Sequence, residues 1–551
     1  MSTNAERLVN NRDSIRRTGA VYTPSTVADA LVDYVRPILN GRGVSVLEPS
    51  VGDGVFVDSI AGSISVDSLT VVDVSKEAVK AVAPKLAVRQ GASASIIKDF
   101  VSYASDEIEQ GRCDFDLVIG NPPFIRRHNF SLNLKRSVAR LARITNYPLS
   151  GLKNSWAAFV VGSLQMLRSD GVLAFVLPYE LITVKYGKDL LAYLSGECAR
   201  VDIFVSNKKA FDAIDQDALL LVLQKGNVDE PGIFMRRVES FENISVASVH
   251  KLNLAGGAKF RSDSLAMNSH IIGSGAIKTI LSLCERLEDV SHHCSSSPGV
   301  VTAANDYFII SEQEANRMKL AKYGLPILRR SGPWTNSPLF DQKRFDQAAA
   351  VIGSRLISLS SPKKQLSANA KLYVERGEED GIDDRYKCRH RDPWYKVPLV
   401  PVADGFVFRR AHLYPRLCVN EAASLITDNA YGISPKAGFS MRGICYSFYN
   451  SLTLLYAEIA GRFYGGGVLE LSPKEFRSLP LPYVEPTAEE FHQFVRVSEA
   501  DAGDGLSILD FGDAWLSREY GFAMDDLEIV RNAWLSVRAH RLRHGRAGKM
   551  G

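Results

Sequence analysis

Hydrophobic and polar residues alternate in blocks along the first 225 residues of the chain. Short apolar runs of strand length are separated by segments with helical spacing, such as "KEAVKAVAPKL" (76–86) and "SWAAFVVGSLQMLRSDG" (155–171). Strands that alternate with helices are typical of a mostly parallel sheet with helices on both faces. The pattern therefore predicts a doubly wound α/β domain with strands at 44–49, 68–75, 93–100, 115–120, 171–178, 200–206 and 218–225.

The pattern changes after Gly226. Alternation weakens, and short β-like pieces at 299–310 and 396–410 lie among polar loops. From about Ala488 the periodicity becomes helical, and the chain ends in the basic tail "RAHRLRHGRAGKMG". We therefore predict three parts, which are an α/β domain over 1–250, a mixed α+β domain over 251–485 and a C-terminal helical segment over 486–551.

Composition agrees with a chain of several globular domains. The 551 residues exceed one typical core, and 46% apolar with 23% charged residues is usual for soluble proteins. No apolar window is long enough to span a membrane, and the N-terminus lacks an apolar signal core, so we expect a cytoplasmic protein. The seven cysteines form no CxxC pair, which predicts neither a metal site nor a disulfide framework.

Local charge is more informative than the net charge of +4. From Lys319 to Arg416 there are 19 lysines and arginines against ten acidic residues, and aromatic residues are interleaved with them. A basic, aromatic segment suits a phosphate backbone and exposed bases, although a solvated basic face is an equal alternative.

The first predicted strand leads into a glycine turn, "EPSVGDG", which precedes a helix. Gly52 and Gly54 would let a ligand approach the backbone closely, and the N-terminus of the helix adds positive potential. A glycine pair can also serve an ordinary tight turn, so its neighbours decide the interpretation.

Four successive predicted strands each end in a polar residue. Glu48 ends the first strand, Asp73 follows 25 residues later, Asp99 after 26 more and Asn121 after another 22. Open α/β sheets bind ligands at the carboxyl ends of their strands. The regular spacing predicts a ligand site at that edge, where Asp73 can accept hydrogen bonds from ribose hydroxyls.

Asn121 begins the segment Asn-Pro-Pro-Phe. The two prolines stiffen the backbone and remove two N–H donors. The segment therefore holds the Asn121 side chain and the Phe124 ring stiffly at the carboxyl end of a predicted strand.

These motifs resemble those of the class I S-adenosylmethionine-dependent methyltransferases. The order "TGAVYTP", "EPSVGDG", "VVDVS", "KDF" and "NPPF", followed by a large C-terminal segment, is similar to that of the gamma-class N6-adenine DNA methyltransferases of the TaqI type. Phe124 departs from the tyrosine of many members. The segment "GVVTAANDYFII" resembles part of the target-recognition domains of this class, with Ala303 in place of the usual glycine.

The resemblance implies S-adenosylmethionine as cofactor and a Rossmann-like domain followed by a target-recognition domain. Tyr22 and Thr23 would cover the methionine end of the cofactor, and Glu48 would lie by its amino group. Asp73 would bind the ribose, and Asp99 and Phe100 would bind the adenine. The implied cofactor-binding set is Tyr22, Thr23, Glu48, Ser50, Gly52, Asp73, Val74, Asp99, Phe100 and Asn121.

The resemblance implies an exocyclic amine of adenine as the methyl acceptor. The Asn121 side chain and the Pro122 carbonyl would bind both hydrogens of this amine and activate it by pre-organisation, because its lone pair is otherwise conjugated with the ring. The amine lies inside duplex DNA, so the base must leave its stack and enter a pocket with two apolar walls. Phe124 would be one wall and Phe211 the other, unless Phe211 is an ordinary core residue. Predicted DNA contacts are the loop residues Arg126 and Arg127, and the residues Arg389, Arg391 and Trp394 in "RHRDPWYKVP". The alternatives are solvated arginines and a packed tryptophan.

The predicted function is methylation of the N6 amino group of adenine at specific DNA sites, in restriction–modification or phage defence. Double-stranded DNA is the expected partner, a cognate restriction endonuclease would be a separate chain, and the protein would be a monomer near a bacterial or archaeal nucleoid. The alternatives are an RNA or protein-glutamine methyltransferase and a non-catalytic DNA-binding specificity protein. A type I methylation subunit is less consistent with this sequence. Such subunits carry a long helical segment before the "YTP" motif, whereas only 17 residues precede Thr18 here.

Overall fold

The computed structural model describes residues 22–87, 91–208, 218–244, 248–252, 265, 267–464, 467–501 and 504–542. The chain divides into two compact units, Met1–Ser274 and Gly275–Gly551. The first unit extends beyond residue 250, and the C-terminal helices belong to the second unit. The three functional parts expected from the sequence stay a prediction. Among the described residues, no helix is long and apolar enough to cross a bilayer.

The described part of the first unit is built on a nine-stranded sheet with the order β3-β2-β1-β4-β5-β7-β6-β8-β9. Neighbours among β1 to β5 pair in parallel, whereas β7 pairs antiparallel with both β5 and β6. The strands are β1 (Val44–Glu48), β2 (Val66–Asp73), β3 (Ala92–Ile97), β4 (Phe115–Gly120), β5 (Leu167–Pro178), β6 (Arg200–Ser206), β7 (Ala218–Gln224), β8 (Gly232–Val238) and β9 (Ser248–Leu252).

Helices follow most of the parallel strands, as expected for crossover connections. The central strands β4, β5 and β7 are buried on both faces, which explains their nearly uninterrupted apolar runs. The helices are α1 (Ser25–Val35), α2 (Val55–Ile60), α3 (Lys76–Ala87), α4 (Phe100–Glu109), α5 (Leu132–Ile144), α6 (Trp156–Met166), α7 (Glu180–Thr183), α8 (Lys185–Glu197) and α9 (Ser269–Ile272).

All seven predicted strands are present, with ends shifted by at most four residues. Two further strands, β8 and β9, extend the sheet at one edge and were not predicted. β8 contains Arg236 and Arg237, which interrupt its apolar pattern. Their side chains bind Asp202 and Asn207, at 2.6 and 2.7 Å, so this strand depends on partners distant in the sequence.

The second unit is mixed α+β, and its described strands form three small sheets, β10-β19-β15-β17-β13, β11-β14-β12-β18 and β16-β21-β20. The strands are β10 (Cys294–Pro298), β11 (Ile309–Ile310), β12 (Gly324–Leu328), β13 (Leu339–Phe340), β14 (Arg355–Ile357), β15 (Gly405–Phe408), β16 (Arg410–Ala411), β17 (Leu417–Asn420), β18 (Leu425–Ile426), β19 (Ala430–Pro435), β20 (Arg462–Tyr464) and β21 (Val468–Glu470).

Helices connect these sheets, and the last three follow one another at the end of the described chain. The helices are α10 (Ser274–Cys284), which begins at the division between the units, α11 (Val290–His293), α12 (Asn305–Phe308), α13 (Glu312–Arg317), α14 (Gln342–Val351), α15 (Ala368–Glu379), α16 (Met441–Phe448), α17 (Ser451–Ala460), α18 (Pro473–Arg477), α19 (Ala488–Ala500), α20 (Leu506–Tyr520) and α21 (Met524–Leu542).

The two β-like pieces predicted in this unit are only partly strands. Residues 299–310 contain the short helix α12 before β11, and residues 396–404 are irregular, with strand β15 beginning at Gly405. Pro398 and Pro401 lie in the irregular stretch, where proline cannot donate to a strand ladder.

An ion pair joins the last helix to the body of the second unit. The guanidinium of Arg541, on α21, bonds both carboxylate oxygens of Glu458, on α17, at 2.7 Å each. Both side chains are fully buried. Arg541 also donates to the carbonyls of His412, at 2.6 Å, Leu413, at 3.0 Å, and Gly467. The C-terminal segment is therefore an integral part of the second unit.

Ala303 has a φ of +71°, in the left-handed region that alanine rarely occupies. This conformation costs an L-residue about 1–2 kcal/mol, whereas glycine adopts it freely. We expect Ala303→Gly to change the stability of the second unit by between zero and about +1 kcal/mol. Glycine relieves the unfavourable positive φ, but the greater conformational entropy of glycine in the unfolded chain offsets part of this gain. Urea unfolding of the full-length protein, monitored by tryptophan fluorescence, measures the change.

The matched control is Ala315→Gly in helix α13, where alanine is fully buried. Glycine should cost about 1 kcal/mol there, because it is a poor helix residue. Equal destabilisation by both glycines would show that the positive φ of Ala303 carries no strain.

Candidate active site

The predicted polar residues converge at the carboxyl edge of the first sheet. β1 lies beside β4, and the strand order runs outward from this pair in opposite directions. The crevice at such a reversal is where open α/β sheets bind ligands. Glu48 ends β1, Asp73 ends β2, and Asn121 immediately follows β4. Asp99 lies two residues beyond β3 rather than at its end, and it caps helix α4.

We call Asn121–Phe124 the NPPF loop. The Asn121 carboxamide donates from Nδ2 to Oγ1 of Thr23 at 3.0 Å, and Thr23 is buried. Ser50 donates from Oγ to the backbone carbonyl of Asn121, also at 3.0 Å. These bonds fix the orientation of the carboxamide and the position of its backbone. Thr23 and Ser50, predicted as cofactor residues, therefore also hold the residue predicted to activate the amine.

Ser155 holds the other end of the NPPF loop and was not predicted as a site residue. Its side chain is completely buried and donates from Oγ to the carbonyl of Pro123. The same Oγ accepts from the backbone N–H of Ile125 at 3.0 Å, and the Ser155 backbone N–H donates to the Ile125 carbonyl at 2.9 Å. One serine therefore ties the loop to the start of helix α6.

The backbone carbonyl of Pro122 is the middle acceptor of the loop. The carbonyls on either side, of Asn121 and Pro123, are occupied by the hydroxyls of Ser50 and Ser155. Within the described parts of the chain, no donor is bonded to the Pro122 carbonyl. It therefore keeps both lone pairs for a ligand, as an acceptor for an amine requires.

The glycine turn is locked by Asp73. One carboxylate oxygen of Asp73 accepts from the Gly52 N–H at 3.0 Å, and the other accepts from the Ser75 N–H at 2.8 Å. Gly54 has a φ of +78°, and a Cβ there would lie 2.7 Å from Cγ2 of Val82. Both its conformation and its surroundings therefore require glycine.

Glu48 is a buried carboxylate with an unsatisfied oxygen. Only 1% of the residue is exposed, and among the described residues Oε2 has no hydrogen-bond partner. Burial, followed by the charges of Asp53 and Asp73, raises the pKa of the Glu48 carboxyl well above its usual range. A bound cation would compensate such a group. The site therefore fits a cofactor with an ammonium group, as S-adenosylmethionine has.

The remaining predicted cofactor residues differ in exposure. Tyr22 is 66% exposed and Val74 is 77% exposed, so both can cover a ligand. Asp99 accepts from the backbone N–H groups of Val101 and Ser102, at 3.4 and 3.3 Å. Phe100 is buried, and its ring lies 4.9 Å from that of Phe159, which gives it a packing role within the unit. Its contact with a cofactor stays a prediction.

Around the NPPF loop, Phe124 is largely buried and the predicted DNA contacts are exposed. Arg126 and Arg127 lie on the surface just after the loop. The backbone N–H of Arg127 bonds the carbonyl of Lys153 at 2.8 Å, which holds this exposed segment against residues 152–155. Phe211, predicted as the second wall of the base pocket, lies outside the described residues.

The three predicted DNA contacts of the second unit have different surroundings. Arg389 is exposed, with its guanidinium 5.4 Å from the centre of the Tyr386 ring. Arg391 is half-buried and donates to the carbonyls of Val301 and Thr302, at 2.9 Å each.

Trp394 is also half-buried. It donates from Nε1 to Glu378 at 3.3 Å, and its ring lies 5.8 Å from that of Tyr307. This geometry favours the packed interpretation for Trp394, and Arg391 has internal partners. DNA contact by these residues stays a prediction.

Comparison with known proteins gives matches in both units. Residues 57–211 match the family model of the Eco57I restriction-modification methylase, and residues 267–514 match that of the type II methyltransferase M.Eco57I, C-terminal domain. The type II methyltransferase M.XamI of Xanthomonas campestris pv. amaranthicola is 23% identical over 85% of this chain and 86% of its own. M.AccI of Acinetobacter calcoaceticus is 22% identical over 82% of this chain and 83% of its own.

A solved structure shares the fold. The type IIL restriction-modification enzyme MmeI, solved in complex with DNA, aligns with a TM-score of 0.55 and 11% identity over 99% of this chain and 75% of its own. The architecture is a class I methyltransferase domain followed by a mixed α+β domain, as predicted. Each unit of the chain thus matches a family model of the Eco57I type, and two type II methyltransferases align with the chain along most of its length.

Proposed function

We propose that this protein transfers a methyl group from S-adenosylmethionine to the N6 amino group of an adenine flipped out of duplex DNA. The observation that carries the proposal is the NPPF loop, in which the carboxamide of Asn121 is fixed by Thr23 while the Pro122 carbonyl keeps its lone pairs for a ligand. Two fixed acceptors at the carboxyl end of β4 suit the two hydrogens of one exocyclic amine.

The residues of this chain act by positioning rather than by strong acid–base chemistry. When bound, the cofactor supplies a methyl group already activated by its positive sulfur. Asn121 and Pro122 accept hydrogen bonds from the amine and draw its lone pair out of conjugation with the ring. Phe124 stacks on the base, and stacking compensates part of the few kcal/mol lost when a base leaves the duplex. The amine proton passes to water after transfer.

Glu48, Asp73 and the glycine turn hold the cofactor in this proposal. Glu48 binds the ammonium group, and Asp73 has lone pairs for the ribose hydroxyls besides those used by Gly52 and Ser75. Tyr22 and Val74 would cover the bound molecule, while Asp99 and Phe100 would bind its adenine. The second unit selects the DNA site, and a separately encoded endonuclease would cut sites that lack the methyl group.

Product analysis tests the reaction. The protein is incubated with labelled S-adenosylmethionine and unmethylated plasmid DNA, and the digested nucleosides are separated. N6-methyladenine is the expected product, and long-read sequencing then locates the modified site. Parallel reactions with RNA and with protein substrates test the alternatives. Label in N4-methylcytosine, in RNA or in glutamine, but not in DNA adenine, would replace the proposal.

Cofactor binding should release protons through Glu48. A cation beside a carboxylate favours its ionised form, so it lowers the pKa that burial has raised. Binding therefore releases protons at pH values between the pKa of Glu48 in the complex and its higher pKa in the free protein. The affinity for the cofactor falls as the pH falls below the pKa of Glu48 in the free protein. Titration calorimetry in two buffers of different ionisation enthalpy should give different heats in the wild type.

The control variants for this prediction are Glu48→Gln and Glu77→Gln. Glutamine at position 48 cannot release a proton, so its heats should be independent of the buffer and its affinity lower. Glu77 is exposed at the start of α3, and its replacement should leave the buffer dependence of the heat and the affinity for the cofactor as in the wild type. Buffer-independent heats in the wild type across the acidic and neutral range would contradict the assignment of Glu48.

A further inference from the structure

The second unit presents an aromatic ring to solvent within a basic segment. Tyr386 is 71% exposed, an unusual surface position for a large ring. Between residues 385 and 396 there are five lysines and arginines and one aspartate. The Arg389 guanidinium lies 5.4 Å from the centre of the Tyr386 ring, and the His390 ring centre lies 4.8 Å away. We call Tyr386, Arg389 and His390 the surface aromatic–basic cluster.

The cluster is built on a rigid support. Cys388, between its members, is completely buried in the hydrophobic core of this part of the unit. Backbone bonds link the Cys388 N–H to the Arg385 carbonyl at 2.8 Å and the Arg389 N–H to the same carbonyl at 3.0 Å. Tyr386 is therefore held outward by the fold, and its position costs little entropy when a partner binds.

Arg391 and Trp394, which follow the cluster in the sequence, also hold this segment in place. Arg391 fastens the segment to the Val301 and Thr302 carbonyls, and Trp394 packs beside Tyr307. Residues near the cluster thus divide into an inner group with internal partners and an outer group that faces solvent. An exposed ring beside an arginine, within a basic segment, is complementary to an anionic polymer that also offers flat, apolar surfaces, which describes nucleic acid.

We propose that Tyr386 and Arg389 form a duplex-DNA contact in which Arg389 binds a phosphate and the Tyr386 ring packs on the adjoining deoxyribose or base edge. This inference rests on the proposed function, because it requires DNA as the substrate. In this proposal Tyr386, rather than Trp394, makes the main aromatic contact of the segment with DNA. Arg391 supports the cluster through its bonds to the backbone and does not contact DNA itself. The two contacts differ physically, since one is ionic and the other is not.

The test uses that difference. Fluorescence anisotropy measures the affinity of the full-length protein for a labelled duplex of about 30 base pairs between about 50 and 200 mM salt. Tyr386→Ala should weaken binding by roughly fivefold or more at every salt concentration, with an unchanged slope of log affinity against log salt. Arg389→Gln should weaken binding and make the slope shallower by about 0.9, the contribution of one phosphate contact.

Two control variants distinguish the effect of the Tyr386 ring from that of its hydroxyl and from that of losing any exposed apolar side chain. Tyr386→Phe keeps the ring and should retain most of the affinity. Leu372→Ala removes another apolar side chain, 64% exposed on α15 in the same unit, and should have no effect. Because Tyr386 is exposed, its replacement should not alter thermal unfolding, which is measured for each variant.

Each outcome bears on the inference. Wild-type affinity in Tyr386→Ala would overturn the ring contact, and an unchanged salt slope in Arg389→Gln would overturn the phosphate contact. Both results could occur while the protein still methylates DNA, in which case the proposed function stands alone. If the wild-type protein neither binds the duplex nor methylates DNA, both proposals fail together.

Discussion

Asn121→Ala should abolish methyl transfer while the protein still folds and binds its cofactor. Alanine removes one of the two acceptors proposed for the target amine and also the bond to Thr23. Loss of one pre-organised polar group from an active site costs about 10²–10³-fold in kcat, and more where it also frees the surrounding loop. Initial rates of methyl incorporation into DNA, at saturating cofactor and DNA, measure the effect.

Asn121→Asp is the informative companion variant. It keeps an oxygen at the position of the amide oxygen, and the Thr23 hydroxyl can turn to donate to the other oxygen, so activity should fall less than in Asn121→Ala. Asn129→Ala, exposed a few residues after the loop, should be close to wild type. Calorimetry should show cofactor binding in all three. Turnover by Asn121→Ala at a rate near wild type would end the proposed mechanism.

Arg541→Met should give the largest loss of stability among single substitutions in the second unit. Burial raises the pKa of Glu458, and the hydrogen bonds and charge of Arg541 oppose that rise. Without the arginine, a fully buried carboxyl and three backbone carbonyls lose their shared partner. Breaking a buried ion pair costs about 3–5 kcal/mol. Urea unfolding of the full-length protein should show an early transition of the second unit.

The double variant Arg541→Met/Glu458→Leu tests the cause. Removing the buried acid as well should restore part of the stability, because a pair replaced by apolar residues is often tolerated. The restoration should be incomplete, since the carbonyls of His412, Leu413 and Gly467 remain without the guanidinium. Arg496→Met, on the surface of α19, should change stability by less than about 1 kcal/mol. A similar small loss in Arg541→Met would show that the pair contributes little.

The central strands of the first unit could be predicted because they are buried on both faces, so their sequences are continuous apolar runs. β8 was missed because its arginines are satisfied by Asp202 and Asn207 on other parts of the chain. In the second unit, residues 299–310 were predicted as β-like from their apolar content. In the structure, the Thr302 hydroxyl accepts from the Ala304 N–H at 3.1 Å, just before helix α12 begins at Asn305.

The sequence could predict those residues of the candidate site whose position follows from the order of the strands along the chain. Parallel strands meet at one edge, so evenly spaced terminal residues such as Glu48, Asp73 and Asn121 must converge there. The bonds that hold the NPPF loop could not be predicted. Ser155 lies 32 residues from Pro123, and a buried serine before an apolar helix resembles any N-terminal helix residue. The packing of Trp394 beside Tyr307 could not be predicted either, because its neighbours in the sequence are basic, whereas its neighbours in space include an aromatic ring.

The hydroxyl groups of Thr23, Ser50 and Ser155 order the NPPF loop when the first unit folds, before any substrate is present. Ordering a residue costs about 1–2 kcal/mol of entropy at room temperature. That cost is therefore met by the folding reaction and is absent from each catalytic cycle. The activation entropy of the chemical step should then contain little contribution from the loop, and heat that loosens the first unit should slow the chemistry before it unfolds the sheet.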